Sequence, residues 1–240
     1  MNEKTILLTA TINTSYYGNV DTINGDVRIR EKQYLDTCEK IIKNTDIETI
    51  ILCDNTNYKL DTLILEQMAE TYKKKFEYLT YVEKDIGNMK LYGKGYGEHN
   101  IIKYALENSF YLKNTNSFFK LTGRVWIKNL NKIINQINED NENYFTFYNR
   151  SKCVNTVFFK VNTKDYIANF YQLEWTDNTK IEEKYYEAII KTNINCKTFK
   201  NEPLLVGIRG GGTNTSYEIN AIQIVIRNIK RMTNYYQLKR

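Results

Sequence analysis

Ser117-Phe118-Phe119-Lys120-Leu121-Thr122-Gly123-Arg124-Val125-Trp126-Ile127-Lys128 runs an apolar strand into a polar end and then regains apolar character. Packing alone gives little reason to end a strand on a lysine, a hydroxyl, a glycine and an arginine. Anion binding gives a better one, because arginine offers a planar fork of donors and glycine lets backbone approach a ligand closely. The alternative for Lys120 and Arg124 is the usual fate of such residues, a surface ion pair.

Working outward, the segment is the fourth strand of an alternating series. Residues 4–11 (KTILLTAT) read as a buried first strand, 49–53 as a second, 76–82 as a third and 117–121 as the fourth. Between them, 28–44 carries Tyr34, Leu35, Cys38, Ile41 and Ile42 at helical spacing, and 61–74 is a second amphipathic helix. A third helix is expected over 98–113, opened by Gly93-Lys94-Gly95-Tyr96-Gly97. This β-α-β-α-β-α-β order predicts a parallel sheet with helices on both faces. Ligands of such sheets sit beyond the carboxyl ends of the strands. Those ends, at 9–14, 54–57, the loop before residue 93, and 120–124, are polar or glycine-containing.

The remainder is less regular. A short helix is expected at 130–137, an antiparallel pair at 144–148 and 154–161, helices at 163–173 and 181–192, a strand at 204–208 and a final helix at 217–233. The chain of 240 residues is long enough for one full α/β core. Its net charge of +6 suits nucleotide, phosphate or an anionic membrane surface as well as nucleic acid. Against nucleic acid as a partner, the cations are dispersed and no RNP or helix-turn-helix pattern stands out. Cys38, Cys53, Cys153 and Cys196 form no CxxC pair, and the single His99 cannot join them in a usual zinc pattern. The start lacks an apolar signal core and no run of about eighteen apolar residues occurs, so the expected setting is a reducing cytoplasm.

Four further groups carry chemistry. The glycines at 93–97 precede a helix N-terminus, which favours phosphate, or they form a plain turn. Gly210-Gly211-Gly212, with Arg209 beside it, reads as a mobile flap or as a hinge. Asp54 is either an acceptor for a base or ribose, or an Asx-turn. Asp177, Glu182 and Glu183 offer a general base, or acids answering a helix dipole. His99 reads as a capping or phosphate-facing residue. No Asp-x-Asp occurs, and its nearest imitation, Asp140-Asn141-Glu142, reads as a solvated loop, so no metal site and no cofactor is expected.

In this order of parts the chain resembles the GT-A class of nucleotide-sugar glycosyltransferases over residues 4–128. Phe118-Phe119-Lys120-Leu121-Thr122-Gly123-Arg124 and the loop at 207–217 look like bacterial polysaccharide-assembly transferases whose Asp-x-Asp is replaced by a Lys-x-x-Gly-Arg type of sequence. The resemblance implies an α/β fold: a Rossmann-like GT-A sheet with helices on both faces and a smaller, partly antiparallel acceptor-side half. It implies one domain over 1–240, with 1–128 the nucleotide-binding half and 129–240 the acceptor half. Thr9, Ala10 and Thr11 would line the base, Asp54 would contact uracil or ribose, and Gly95 and Gly97 would lie beside the diphosphate. Lys120 and Arg124, with Arg209, would stabilise the leaving diphosphate without a metal, and Asp177 or Glu182 would serve as base.

The implied partners are a nucleotide-sugar donor, with UDP expected, and a glycan or lipid-linked glycan acceptor of a capsule or lipopolysaccharide. The basic, apolar C-terminal helix either rests on an anionic membrane or packs its isoleucine face on the domain. Two rival readings stay open: a metal-dependent nucleotidyl- or phosphotransferase, and a non-catalytic glycan- or nucleic-acid-binding protein.

Overall fold

A computed structural model describes residues 3–17, 25–137, 141–176, 180–209 and 215–238. The first half follows the expected alternation: β1 (Thr5–Ala10), α1 (Val27–Asn44), β2 (Thr49–Asp54), α2 (Leu63–Thr71), β3 (Lys75–Thr80), α3 (Ile86–Tyr92), α4 (Lys94–Asn108) and β4 (Ser117–Thr122). There follow β5 (Trp126–Ile127), α5 (Leu130–Ile134), β6 (Asn143–Tyr144), β7 (Phe147–Tyr148), β8 (Cys153–Val154), β9 (Phe158–Asn162), α6 (Thr163–Asn169), α7 (Ile181–Thr192), β10 (Cys196–Lys197), β11 (Leu205–Val206) and α8 (Ala221–Met232).

The central sheet has seven strands in the order β10-β6-β9-β4-β1-β2-β3. β1 is parallel to both β2 and β4, and β2 is parallel to β3. β9 lies antiparallel to β4, and β6 and β10 beyond it return to the sense of β1 to β4. The chain steps from β1 to β2 and β3 on one side, then crosses back to β4 on the other. β1 and β4 therefore flank the topological switch point, where a parallel sheet opens a crevice at its carboxyl end.

Side-chain alternation sorts the core into two layers. Ile6 and Leu8 of β1 pack with Tyr34, Cys38, Ile41 and Ile42 of α1, with α2 and with α5. Leu7 points the other way, among Ile101, Ile102 and Ala105 of α4 and Tyr185 and Ile189 of α7. Helices on both faces leave β1 and β2 buried, which is why they read as nearly continuous apolar runs, whereas β3 at the sheet edge is only partly covered.

The second half departs from expectation. The pair expected at 144–148 and 154–161 is a small β7–β8 pair, while β9 leaves it to join the main sheet beside β4. The strand expected at 204–208 shrinks to β11, paired with β5. α8 begins at Ala221 because Asn220 and Gln223 form a capping box. α3 was not expected at all; Asp85 caps it by accepting from the Asn88 N–H.

Of the two readings of α8, the one that packs its isoleucine face on the domain is not what the structure shows. Ile222, Val225, Ile226, Ile229 and Met232 are exposed, while Arg231 is buried. Arg227 and Arg231 both reach the buried Glu202 carboxylate, and Arg231 also donates to Thr198 Oγ1, Phe199 O and Thr146 Oγ1. The helix is tied down by its cations and turns its apolar stripe outward.

Candidate functional site

The polar groups of the Lys120 segment fall on one face of the sheet. Thr9 pairs in register with Thr122, and Leu7 with Lys120, so Thr9, Thr122 and Lys120 all point toward α4. Above them stands Glu98, in the second turn of α4. Its Oε1 accepts from Thr9 Oγ1 (3.1 Å), from Thr122 Oγ1 (3.2 Å) and from the Lys120 ammonium.

Lys120 has no solvent exposure. Its ammonium also donates to Thr122 Oγ1 (3.2 Å) and to Thr156 O (2.7 Å), so its three hydrogens all have partners. Burial lowers its pKa, and the Glu98 charge works against that. The lysine expected to meet the diphosphate is thus an internal group that holds a carboxylate.

Arg124 follows one turn later, with Nη1 donating to Gln33 Oε1 (3.2 Å). Among the described residues, two buried side-chain polar atoms lack a partner: Arg124 Nε and Asn55 Oδ1. Both lie at the carboxyl end of the sheet, one just past β4 and one just past β2. A buried orphan donor or acceptor carries a desolvation cost of about 1–3 kcal/mol unless something fills it.

Arg30, which sequence reasoning missed, is buried at the same end of the sheet, just past β1. Its guanidinium donates to the carbonyls of Thr11 and Ile12. Burial depresses its pKa, and the nearby Arg124 charge adds to that. Arg209 is exposed and lies over the Tyr217 ring at 5.2 Å. Burial pushes the Tyr217 hydroxyl up; Glu98 and Glu182 add to the rise, while Arg209 and Arg124 oppose it. Tyr217 therefore sits within the field of two acids and two arginines.

Glu182 opens α7 and is partly buried. Burial raises its pKa, its own backbone N–H opposes the rise, the Glu98 charge adds to it, and Lys120 and Thr156 lower it. Asp177 and the glycines of 210–212 lie outside the described residues.

Several expected contacts take other roles. Asp54 has no solvent exposure and accepts from Ile12 N (2.8 Å), Thr56 N (2.9 Å), Thr56 Oγ1 (2.7 Å), Tyr58 N (3.2 Å) and Thr80 Oγ1 (3.1 Å). Its oxygens are saturated by the chain, so it is a loop staple rather than a contact for base or ribose. Ala10 is buried, and the Thr9 hydroxyl is bound to Glu98, which leaves Thr11 as the half-exposed member of that trio.

The expected glycine loop is the start of a helix. Gly93 has φ +79°, a conformation that glycine tolerates best, and it joins α3 to α4. A Cβ on Gly95 would meet Ile181 Cβ at 2.9 Å, and one on Gly97 would meet Met89 Cε at 3.0 Å. Close helix packing accounts for both. Likewise Gly123 admits the Tyr34 ring and Thr9 O rather than a ligand, since a Cβ there would meet them at 2.9 and 3.0 Å.

His99 is a core residue: Tyr166 and Tyr185 hydroxyls lie 3.3 and 3.4 Å from its Nδ1, and burial, then Lys103, pushes its pKa down to about 3. Glu142, expected in a solvated loop, is buried against Tyr144 and Lys197. A separate cavity of about 280 Å³ lies at the opposite, amino end of the sheet between Glu3, Lys75, Phe110 and Tyr111. There Lys75 is already paired with Glu3, and no orphan group converges on it.

No protein-family model matches the sequence, and no curated protein is significantly similar to it. Several solved structures are similar to it at low identity. A candidate glucose-1-phosphate thymidylyltransferase from Bacillus anthracis, solved with sucrose, is 9% identical with a TM-score of 0.48, covering 99% of this chain and 96% of its own. A candidate nucleotide-diphospho-sugar transferase from Desulfovibrio desulfuricans G20 is 7% identical at a TM-score of 0.47, covering 83% and 80%. A nucleoside-diphosphate-sugar pyrophosphorylase from Vibrio cholerae RC9 is 10% identical at 0.45, covering 81% and 91%. These are distant likenesses, and the chemistry of the site follows from this chain's own side chains.

Proposed function

We propose that the chain is a glycosyltransferase that takes a sugar from a nucleotide-sugar donor, UDP-linked, and passes it to a hydroxyl of a bacterial capsule or lipopolysaccharide-type glycan. One observation carries the reading: Arg124 Nε and Asn55 Oδ1 are buried without partners at the carboxyl end of the sheet, where Arg30 is buried as well. Clustered arginines with an orphan donor are relieved by an anion of matching geometry, and a diphosphate is one. Asn55, rather than Asp54, supplies the free acceptor for base or ribose.

In a direct displacement the acceptor oxygen attacks the anomeric carbon. Its proton passes to Glu182, whose hold on a proton burial strengthens, with Asp177 the alternative. The bond from that carbon to the diphosphate oxygen breaks, and the electron pair leaves on the diphosphate. Arg124 and Arg209 stabilise the developing charge, the work that a metal does elsewhere. The exposed stripe of α8, with Lys230 on its flank, supports a seat on an anionic bilayer, where a lipid-linked acceptor would be met. Among the described residues no helix is long and apolar enough to cross a membrane.

Calorimetric titration with UDP, GDP and CMP, in EDTA and then with Mn²⁺, tests the reading. The expected result is UDP binding indifferent to EDTA and weakened about 10- to 100-fold in Arg124→Ala. Binding that requires Mn²⁺ would point instead to a metal-using nucleotidyl- or phosphotransferase. Failure to bind any nucleotide would overturn the proposal. Flotation with phosphatidylglycerol vesicles, but not with phosphatidylcholine vesicles, is the outcome expected for the α8 surface.

A further inference from the structure

Glu98 is anchored by one oxygen only. Oε1 accepts from Thr9, Thr122 and Lys120, whereas no donor among the described residues reaches Oε2. The side chain is 22% exposed and Lys120 not at all, so the open side of the pair is the carboxylate. A lysine enclosed in a sheet is an expensive way to hold a glutamate, because burying an ion pair commonly costs more than it returns.

From this geometry we infer that Glu98 is a binding residue for a hydroxyl of the transferred sugar, through Oε2, and that Lys120 is its positioning residue. The inference rests on the nucleotide-sugar reading of the same site. A carboxylate oxygen repels phosphate and takes O–H or N–H donors, and in a nucleotide sugar the ring hydroxyls are the donors next to the diphosphate. Arg124 lies two residues beyond Thr122, whose hydroxyl donates to Glu98 Oε1, and Arg209 lies over the Tyr217 ring. The crevice thus offers cations for the diphosphate and, beside them, one fixed acceptor for the sugar. Three donors on Oε1 hold the carboxylate in place, so little rotamer freedom is lost when the hydroxyl binds.

The test compares Glu98→Gln with the unaltered protein by calorimetry, using UDP and then UDP-glucose, UDP-galactose and UDP-N-acetylglucosamine. The unaltered protein is expected to bind at least one UDP-sugar more tightly than UDP. Glu98→Gln is expected to weaken that ligand about tenfold, the worth of a hydrogen bond to a charged group, and to change UDP itself by less than about threefold. Because the substitution leaves Lys120 without its counter-ion, the double variant Glu98→Gln/Lys120→Met repeats the comparison with the buried charge removed. Equal weakening of UDP and UDP-sugar, or no change in either, overturns the inference while leaving the nucleotide site standing. No binding of any of these ligands by the unaltered protein overturns the function itself, and with it this inference.

Discussion

Asp54 and Glu98 are two carboxylates at the same end of one sheet, and their surroundings differ in one respect. Asp54 accepts from two loops and a neighbouring strand through both oxygens and has no exposure. Glu98 has three donors on a single oxygen and keeps its other side open. An acid whose lone pairs all meet its own chain is part of the scaffold. An acid half-saturated by buried partners is presented outward. Charge alone would not separate the two; exposure and the distribution of donors over the two oxygens do.

The largest effect expected from that contrast falls on stability. Asp54→Ala removes the acceptor for backbone N–H groups of residues 12, 56 and 58, and should lower unfolding free energy by about 3–5 kcal/mol, read as a shift in urea midpoint. A loss below about 1 kcal/mol would mean that Asp54 is not the staple its contacts describe. Next comes Gly123→Ala, where the added methyl meets Tyr34 and Thr9 O; a cost of about 1–3 kcal/mol should appear in thermal melts, together with weakened nucleotide binding as Arg124 is displaced.

Glu182 sharpens the contrast through pH. Its folded pKa lies above the unfolded value, so the native state holds the proton more tightly and stability is lost as pH rises through that interval. Glu182→Gln should therefore raise Tm by about 1–2 °C at pH 7.5 and leave it unchanged at pH 4, while turnover falls. A Tm gain equal at both pH values would break the assignment. The smallest effect is reserved for α8: Ile226→Glu alters an outward position and should change stability by less than about 0.5 kcal/mol, while vesicle flotation drops.

Much of the parallel half is legible because β1 to β4 are each six residues long with mainly apolar centres, and segments of helical spacing separate them. The second half was not, since β6, β7, β8, β10 and β11 are two residues each, too short for any period to show. The Lys120 segment was read as a site for its residue types. Its cations were assigned alike, whereas one points into the core and the other past the strand end, and only the pleat and the turn at Gly123 separate them. Glu98 carried no signal, because an acid in an early helical turn is commonplace. Asp54 did signal both of its readings, and the choice between them depended on the positions of Ile12 and Thr80, remote in sequence.

An amine-reactive reagent meets most lysines of this chain in water but finds Lys120 and Lys160 enclosed. Lys120 presents no nucleophilic nitrogen until Glu98 and Thr156 release it together. Its modification rate, followed by mass spectrometry of the intact fold, would therefore clock how often the floor of the crevice opens, with Lys160 recording the opening of the sheet beside it.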